Sequence, residues 1–252
     1  MLLIGDYHTH TNFSRNNHGK NTILENAVLA KSKGLKEIAI TDHGYGHIFY
    51  GVKRKKVGQV LQEIEEAKNI TGINILHGVE ANFISCDGTL DIKDGDYEKL
   101  DILLAGFHEL VWTKTIKDFF VLILPNMLLK NFKPSKKRVE RNTQTILNAL
   151  NKYDIDVITH IGHKMPVDIK PIAELAKEKG TYIELNGSKC NFTDDEMKIL
   201  LESGVKFIVN SDAHKSLNVA KCDRAINYVV KYGIEDRVVN LNDLPKFKKV
   251  RR

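Results

Sequence analysis

The sequence predicts an α/β fold in which seven parallel strands close into a barrel under crossover helices, a variant of the eight-stranded form. Three observations carry this. Seven short apolar, β-branched runs alternate with helical patterns along the chain. The runs are apolar on both faces, as strands covered on both sides must be. No linker or internal repeat divides the 252 residues, a length that suits one barrel. A doubly wound open sheet is the fallback.

The elements follow in order. Leu2-Leu3-Ile4 reads as the first strand, followed by a polar loop and a helical pattern from Thr22 to Ser32 closed by Gly34. Glu37 to Ile40 is the second strand, and Val57 to Asn69 places apolar residues at helical spacing. Ile73 to Val79 and Asp101 to Ala105 have strand length. Thr143 to Lys152 reads as helix and Ile155 to Ile158 as strand. Pro171 in the first turn and Gly180 after the last bracket a helix over Ile172 to Lys179. Tyr182 to Leu185 is the sixth strand. Thr193-Asp194-Asp195-Glu196 has capping-box spacing and opens a helix that stops at Gly204. Val205 to Val209 and Val219 to Lys231 supply the last strand and helix. Residues 111–140 break this rhythm and read as an insertion. Its apolar part, Asp118 to Leu129, suits a buried helix kinked at Pro125, a dimer contact or lid, or a membrane-surface anchor.

Composition excludes several classes. With 42% hydrophobic and 28% charged residues, the chain is neither disordered, collagenous nor a cysteine scaffold. A chain this long buries roughly 70–75% of its unfolded surface, so it needs no covalent staple to fold. Cys86, Cys190 and Cys222 are widely spaced, which excludes a zinc finger and suits a reducing compartment. The apolar start, Met1 to Ile4, is too short for a signal peptide. The longest apolar run, Phe119 to Leu124, falls far short of the roughly 20 residues of a membrane span. A cytoplasmic protein without a span is therefore expected. The formal charge of +6 gathers in Lys53 to Lys56, Lys133 to Arg141 and a basic tail over 245–252. Such runs are ordinarily solvated faces, but they also suit a phosphate-bearing ligand, either a small ester or a polynucleotide.

The chemistry lies in where the ten histidines fall. Asp6-Tyr7-His8-Thr9-His10 follows the first strand, and alternate residues there share a side. Thr41-Asp42-His43-Gly44 follows the second, Gly78-Val79-Glu80 closes the third and Gly106-Phe107-His108 the fourth. Thr159-His160 closes the fifth, and Ser211-Asp212-Ala213-His214 the seventh. In a parallel barrel these ends share one mouth, where active sites form. Crowding imidazoles and carboxylates into one crevice is unfavourable unless cations organise them, so a multinuclear metal site is expected. His8, His10, His18, His43, Glu80, His108, His160, Asp212 and His214 are the candidate ligands. At four to five ligands per ion they suffice for two or three divalent cations, and mixed imidazole and carboxylate donors suit Zn, Mn or Fe.

These motifs, in this order, resemble the PHP (polymerase and histidinol phosphatase) superfamily, most closely its stand-alone bacterial phosphatases. The connecting text Gly78-Val79-Glu80-Ala81-Asn82 and Ile183-Glu184-Leu185-Asn186-Gly187-Ser188 matches as well. The resemblance runs from about Met1 to Gly233 and implies a single PHP domain over 1–252, a distorted (β/α)7 TIM-like barrel with a trinuclear site at the carboxyl ends of its strands. It implies one ion on His8, His10, Glu80 and Asp212. Glu80 then bridges to a second held by His108 and His160, and His18, His43 and His214 hold the third. His18 lies in a loop of variable length, and His160 is followed by Ile161 where that branch has proline. His163 reads as a surface neighbour or a substitute for His160, and His47 and His77 read as structural.

Such a cluster cradles phosphate, and the expected reaction is attack of a metal-bound hydroxide on a small phosphomonoester, such as a histidinol, sugar, cofactor or nucleotide phosphate. Arg15, His18 and Asp212 are the candidates for direct catalytic roles. Arg15 and Lys164 suit gripping the phosphate, and Asp6 and Asp42 suit accepting imidazole N–H groups. Two rivals stand beside this reading: an exonuclease acting on single-stranded ends and a non-catalytic metal-dependent binding module. A nucleic-acid partner ranks below a small phosphorylated substrate because no aromatic-interleaved basic platform is present. A homo-oligomer formed through 111–140 is a further expectation.

Overall fold

In the computed structural model, which describes residues 2–250, seven parallel strands run in the order β1 to β7. They are β1 (Gly5–Thr9), β2 (Glu37–Ile40), β3 (Asn74–Asn82), β4 (Ile102–Gly106), β5 (Val157–Ile158), β6 (Tyr182–Asn186) and β7 (Phe207–Asn210). Helices Ile23–Ser32, Val57–Thr71, Lys136–Lys152, Ile169–Lys179, Asp194–Ser203 and Asp223–Tyr232 stand between or after them. Each strand pairs in parallel with the next, so the expected barrel is present and the open sheet is not.

The seam between β1 and β7 shows how seven strands suffice. Near the mouth the His10 N–H donates to the Ala213 carbonyl and the Ala213 N–H to the His8 carbonyl, at 2.8 and 3.2 Å. Lower down, Tyr7 N–H donates to Asn210 Oδ1 at 3.0 Å. Toward the base the Asn240 side chain takes the place of a strand. Its amide donates to the Gly5 and Val209 carbonyls and its oxygen accepts from Val209 N–H. The apolar residues 2–4 belong to this seam, since Ile4 N–H donates to the Asn240 carbonyl and Leu3 bridges Leu241 antiparallel. The first strand is therefore Gly5–Thr9 rather than Leu2–Ile4: its histidine-bearing residues are themselves in the ladder.

One extra residue on β1 explains its unusual content. Asp6 pairs Ile38 but Thr9 pairs Ile40, a bulge that breaks the alternation of side chains. Tyr7 and His8 consequently both face the interior. Tyr7 packs in the basal layer with Ala39, Leu76, Ile102, Leu104, Val157, Ile208 and Phe247, and His8 reaches the mouth. Phe247 closes the base, its ring centroid 4.8 Å from that of Tyr7.

Each basic segment gives some side chains to the fold, while Lys53 to Lys56 and Lys133, Lys136 and Lys137 stay exposed. Arg54 lies over the Tyr45 ring and donates to Asp96, and buried Arg138 donates to the carbonyls of Pro125, Leu129 and Phe132. In the tail, Lys248 N–H donates to Asp156 and Lys249 lies over the Tyr97 ring, so the described part, residues 245–250, is docked. Residues 251–252 lie outside the described residues.

Helix Lys136–Lys152 begins seven residues before the expected Thr143 because Ser135 caps it through the Arg138 N–H. Within 111–140 the chain is helical from Ile116 to Leu128, and the turn Phe119–Ile123 is widened to a π-helix just before Pro125. That widening stands where a proline kink was expected, because proline has no N–H to give the preceding turn. Leu122, Ile123 and Asn126 are buried, whereas Ile116, Phe120 and Leu128 are left 80%, 59% and 61% exposed. Among the described residues no helix is long and apolar enough to cross a membrane.

Candidate metal centre

The mouth of the barrel is polar where its base is apolar. From β3, Glu80 points up the axis, and from β6 so does Glu184; both are buried. His8 stands between them, its Nδ1 2.7 Å from Glu184 Oε1 and its Nε2 3.4 Å from Glu80 Oε1. His10, His43, His108, His160 and Asp212 converge from the other strand ends. Gly106 makes room for them: a Cβ there would lie 3.0 Å from His160 Cε1 and 3.1 Å from Glu80 Oε1. His160 and Asp212 hold their side chains in place with left-handed backbone, φ 28° and 55°. Such strain in non-glycine residues costs about 1–3 kcal/mol and gathers at functional sites.

Four donors expected to share one ion lie together. His8 Nε2 is 3.6 Å and His10 Nε2 3.3 Å from Asp212 Oδ1, and His10 Nε2 is 3.7 Å from Glu80 Oε2. Two ligands about 2.1 Å from a tetrahedral zinc lie about 3.4 Å apart, so the spacing fits a shared cation. Around Glu80 the neighbours are His160 Nε2 at 2.8 Å, His43 Nδ1 at 3.1 Å and His108 Nε2 at 3.5 Å. Three-donor groups form from His8, His10 and Asp212, from His43, Glu80 and His108, and from His10, His43 and His214. His43 thus belongs to two groups, which differs from the expected partition with His18. The His18 ring lies 4.9 Å from that of His43 and 4.4 Å from that of His214, at the outer edge, stacked on Tyr50 at 3.8 Å.

The donor set fits divalent cations on two counts. His8 Nε2, both ring nitrogens of His10 and of His43, Glu80 Oε2 and Asp212 Oδ1 are buried without a hydrogen-bond partner. Leaving so many polar atoms unsatisfied is costly unless something binds them. Three carboxylates, Glu80, Glu184 and Asp212, are also buried in one crevice. Burial opposes their ionisation, yet the surrounding imidazoles hold Glu80, and imidazoles with Lys189 hold Asp212, well below the usual carboxylate range. Burial, reinforced by neighbouring imidazoles, holds His10 and His108 well below the ordinary histidine value. Neutral imidazole and ionised carboxylate are the ligating forms.

The partners that orient these ligands differ from expectation. Asp6 accepts from the backbone N–H groups of Ser211, Ala220 and His8, and Asp42 from Thr11 and Ser14. Both fasten loops, and neither meets an imidazole N–H. That role falls to Glu184 on His8 and to Asn82, whose Oδ1 is 2.6 Å from His108 Nδ1. Glu184 carried a signal, an acid inside the apolar run Tyr182 to Leu185. Asn82 carried none.

Above the donors opens a cavity of about 430 Å³, lined by His18, His43, His108, His160 and His214 together with His47, Tyr50, Phe107, Glu109, Leu110, His163, Lys164 and Lys189. His47, expected to be structural, therefore stands at the rim, its Nδ1 accepting from Tyr50 N–H at 3.1 Å. His77 is structural as expected, buried with its Nδ1 donating to the Lys99 carbonyl. Lys164 lines the cavity but is paired with Glu109 at 2.8 Å. Arg15 does not line it: its guanidinium donates to the carbonyls of His47, Ile48 and Gly51 and clamps that turn. The expected phosphate grip by Arg15 gives way to this loop-holding role.

Similarity to known proteins agrees with the geometry. A probable phosphatase of Thermoanaerobacter sp. (strain X514) is 35% identical over 262 residues, covering 98% of this chain and 94% of its own. One from Caldanaerobacter subterraneus is 33% identical, covering 98% of this chain and 91% of its own. Histidinol phosphate phosphatase from Lactococcus lactis, solved with zinc, L-histidinol and phosphate, shares the fold with a TM-score of 0.58 at 16% identity, over 90% of this chain and 94% of that one. The PHP-domain profile matches residues 6–188, from β1 past the end of β6, and the chain belongs to the PHP-domain family.

Proposed function

We propose that this chain is a metal-dependent phosphatase acting on a small phosphomonoester. The observation that carries the reading is the set of buried, unpartnered donors at the strand ends, one of which, His43, lines the mouth cavity. Its volume of about 430 Å³ suits a small ester. Family membership and the probable phosphatases among its relatives support the same class.

His8, His10, Glu80 and Asp212 would hold one ion, Glu80 with His108 and His160 a second, and His18, His43 and His214 a third, drawn from Zn, Mn or Fe. Bound there, divalent cations supply Lewis acidity toward phosphate oxygens and water acidic enough to attack phosphorus near neutral pH. The chain does the rest. Glu184 fixes the His8 ring, Asn82 fixes that of His108, and Phe107, Leu110 and Tyr50 wall the space for the leaving group. Contact between copies through 111–140 belongs to this proposal and rests on the uncovered Ile116, Phe120 and Leu128. A monomeric sedimentation coefficient would remove it.

The test is phosphate release from a panel of monoesters by metal-reconstituted protein, beside shortening of an end-labelled single-stranded oligonucleotide. Monoester turnover that Asp212→Ala abolishes, with the oligonucleotide intact, is the expected result. Shortening without monoester turnover makes the chain a nuclease, and full metal occupancy without either makes it a binding module.

A further inference from the structure

Six strands deliver metal donors to the mouth; β6 delivers a cation. The strand ends at Asn186, and its side-chain oxygen accepts from the N–H groups of Ser188 and Lys189, both at 2.9 Å, and from Ser188 Oγ at 3.1 Å. The turn is pressed against its neighbours as well, since a Cβ on Gly187 would lie 2.6 Å from the Lys221 carbonyl oxygen. This fixed turn carries half-buried Lys189 to Asp212, Nζ to Oδ2 at 2.5 Å. The other carboxylate oxygen, Oδ1, is the unpartnered one facing His8 and His10.

Lys189 is more than a partner for Asp212. Oδ2 already accepts from Asn186 Nδ2 at 3.2 Å, so that oxygen is satisfied without an ammonium. An ammonium has three donors, and among the described residues Asp212 is the one acceptor that Nζ meets. Lys189 also lines the cavity. The other cation lining the cavity among the described residues, Lys164, is committed to Glu109, and Arg15, outside the lining, to backbone carbonyls. Once divalent cations balance the buried carboxylates, a lysine beside them leaves the floor positive, which favours a dianionic group over a neutral one.

We propose that Lys189 is a substrate-contacting residue that donates to a non-bridging oxygen of the phosphoryl group while that group lies over the Asp212 side of the donor cluster. It remains an ammonium throughout and transfers no proton. The inference rests on the phosphatase reading for its substrate and is tested separately from it.

The experiment compares metal-loaded wild type, Lys189→Met and Lys189→Arg by calorimetric titration with inorganic phosphate, with metal content measured on each sample. Lys189→Met is expected to keep the wild-type metal content and to weaken phosphate binding about tenfold to a hundredfold, the range for a hydrogen bond to a charged group. Lys189→Arg is expected to recover most of it, and KM for any turned-over monoester to follow. Unchanged phosphate affinity overturns the proposal, as does loss of metal with Lys189→Met, which makes Lys189 a positioning residue for Asp212. Wild type that binds phosphate but hydrolyses no monoester defeats the phosphatase reading and leaves the Lys189 result standing. Wild type that binds no phosphate defeats both.

Discussion

At the scale of single residues, a metal centre at the mouth would depend on what holds each candidate donor as much as on the donors. Glu184 takes the His8 ring on one oxygen and the N–H of His160 on the other, at 2.7 and 2.8 Å, and so fixes two candidate donors from two strands. Glu184→Gln keeps the size and removes the charge. It is expected to lower metal affinity about 10–100-fold with the fold intact, as measured by competition with a chromophoric chelator. Wild-type affinity in that variant would mean that His8 needs no such partner. The clustering of donors was legible because histidine, glutamate and aspartate stood at six strand ends in one order. Their partners were not, because Asn82 and Lys189 differ from ordinary loop and strand-end residues only by what the fold brings to them. Asp6 and Asp42 misled for the converse reason: next to a candidate ligand in sequence, they turn to backbone N–H and hydroxyl groups instead.

At the scale of elements, the helical spacing and caps read true where local chemistry decides them. Thr193 with Glu196 forms the expected capping box, and Gly180 and Gly204 end their helices in left-handed conformation. The first strand misled because apolar Leu2–Ile4 looked more strand-like than the polar ladder beside it, and the β1 bulge has no signature in the sequence. The fifth strand is only Val157–Ile158: Thr159 N–H still donates to the Ala105 carbonyl, but the left-handed His160 turns the chain out of the ladder and its ring meets Glu80. The tail read as solvated charge, yet its Phe247 plugs the base. Phe247→Ala is expected to cost about 3 kcal/mol in denaturant unfolding, the usual price of an emptied aromatic core site. Turnover should hold within twofold, since the plug lies at the end opposite the donors. Unchanged stability would show that the base closes without it.

At the scale of the whole molecule, one barrel carries an apolar base and a charged mouth, and pH acts on the two differently. Near the base, Asp156 accepts from Leu103 and Lys248 N–H groups, and burial pushes its carboxyl up to about 6. Its folded value lies above its unfolded one, so its contribution is full below about pH 4 and is lost as pH rises through about 6. The stability of Asp156→Asn relative to wild type is therefore expected to improve by about 2 kcal/mol between pH 4 and pH 7 in paired denaturation series. A difference that does not change with pH would contradict the buried, ionising carboxyl. The barrel class was legible from the alternation of elements, whereas the closure through Asn240 was not, because one side chain there does the work of a strand.

The mouth is where function is decided, and anomalous scattering from crystals grown with zinc or manganese tests it most directly. The expected result is anomalous density inside the donor cluster, about 2.0–2.3 Å from the Nε2 atoms of His8 and His10 and from the carboxylates of Glu80 and Asp212. Anomalous density confined to the surface, with the cluster holding none at saturating metal, would contradict a metal centre and with it the phosphatase reading.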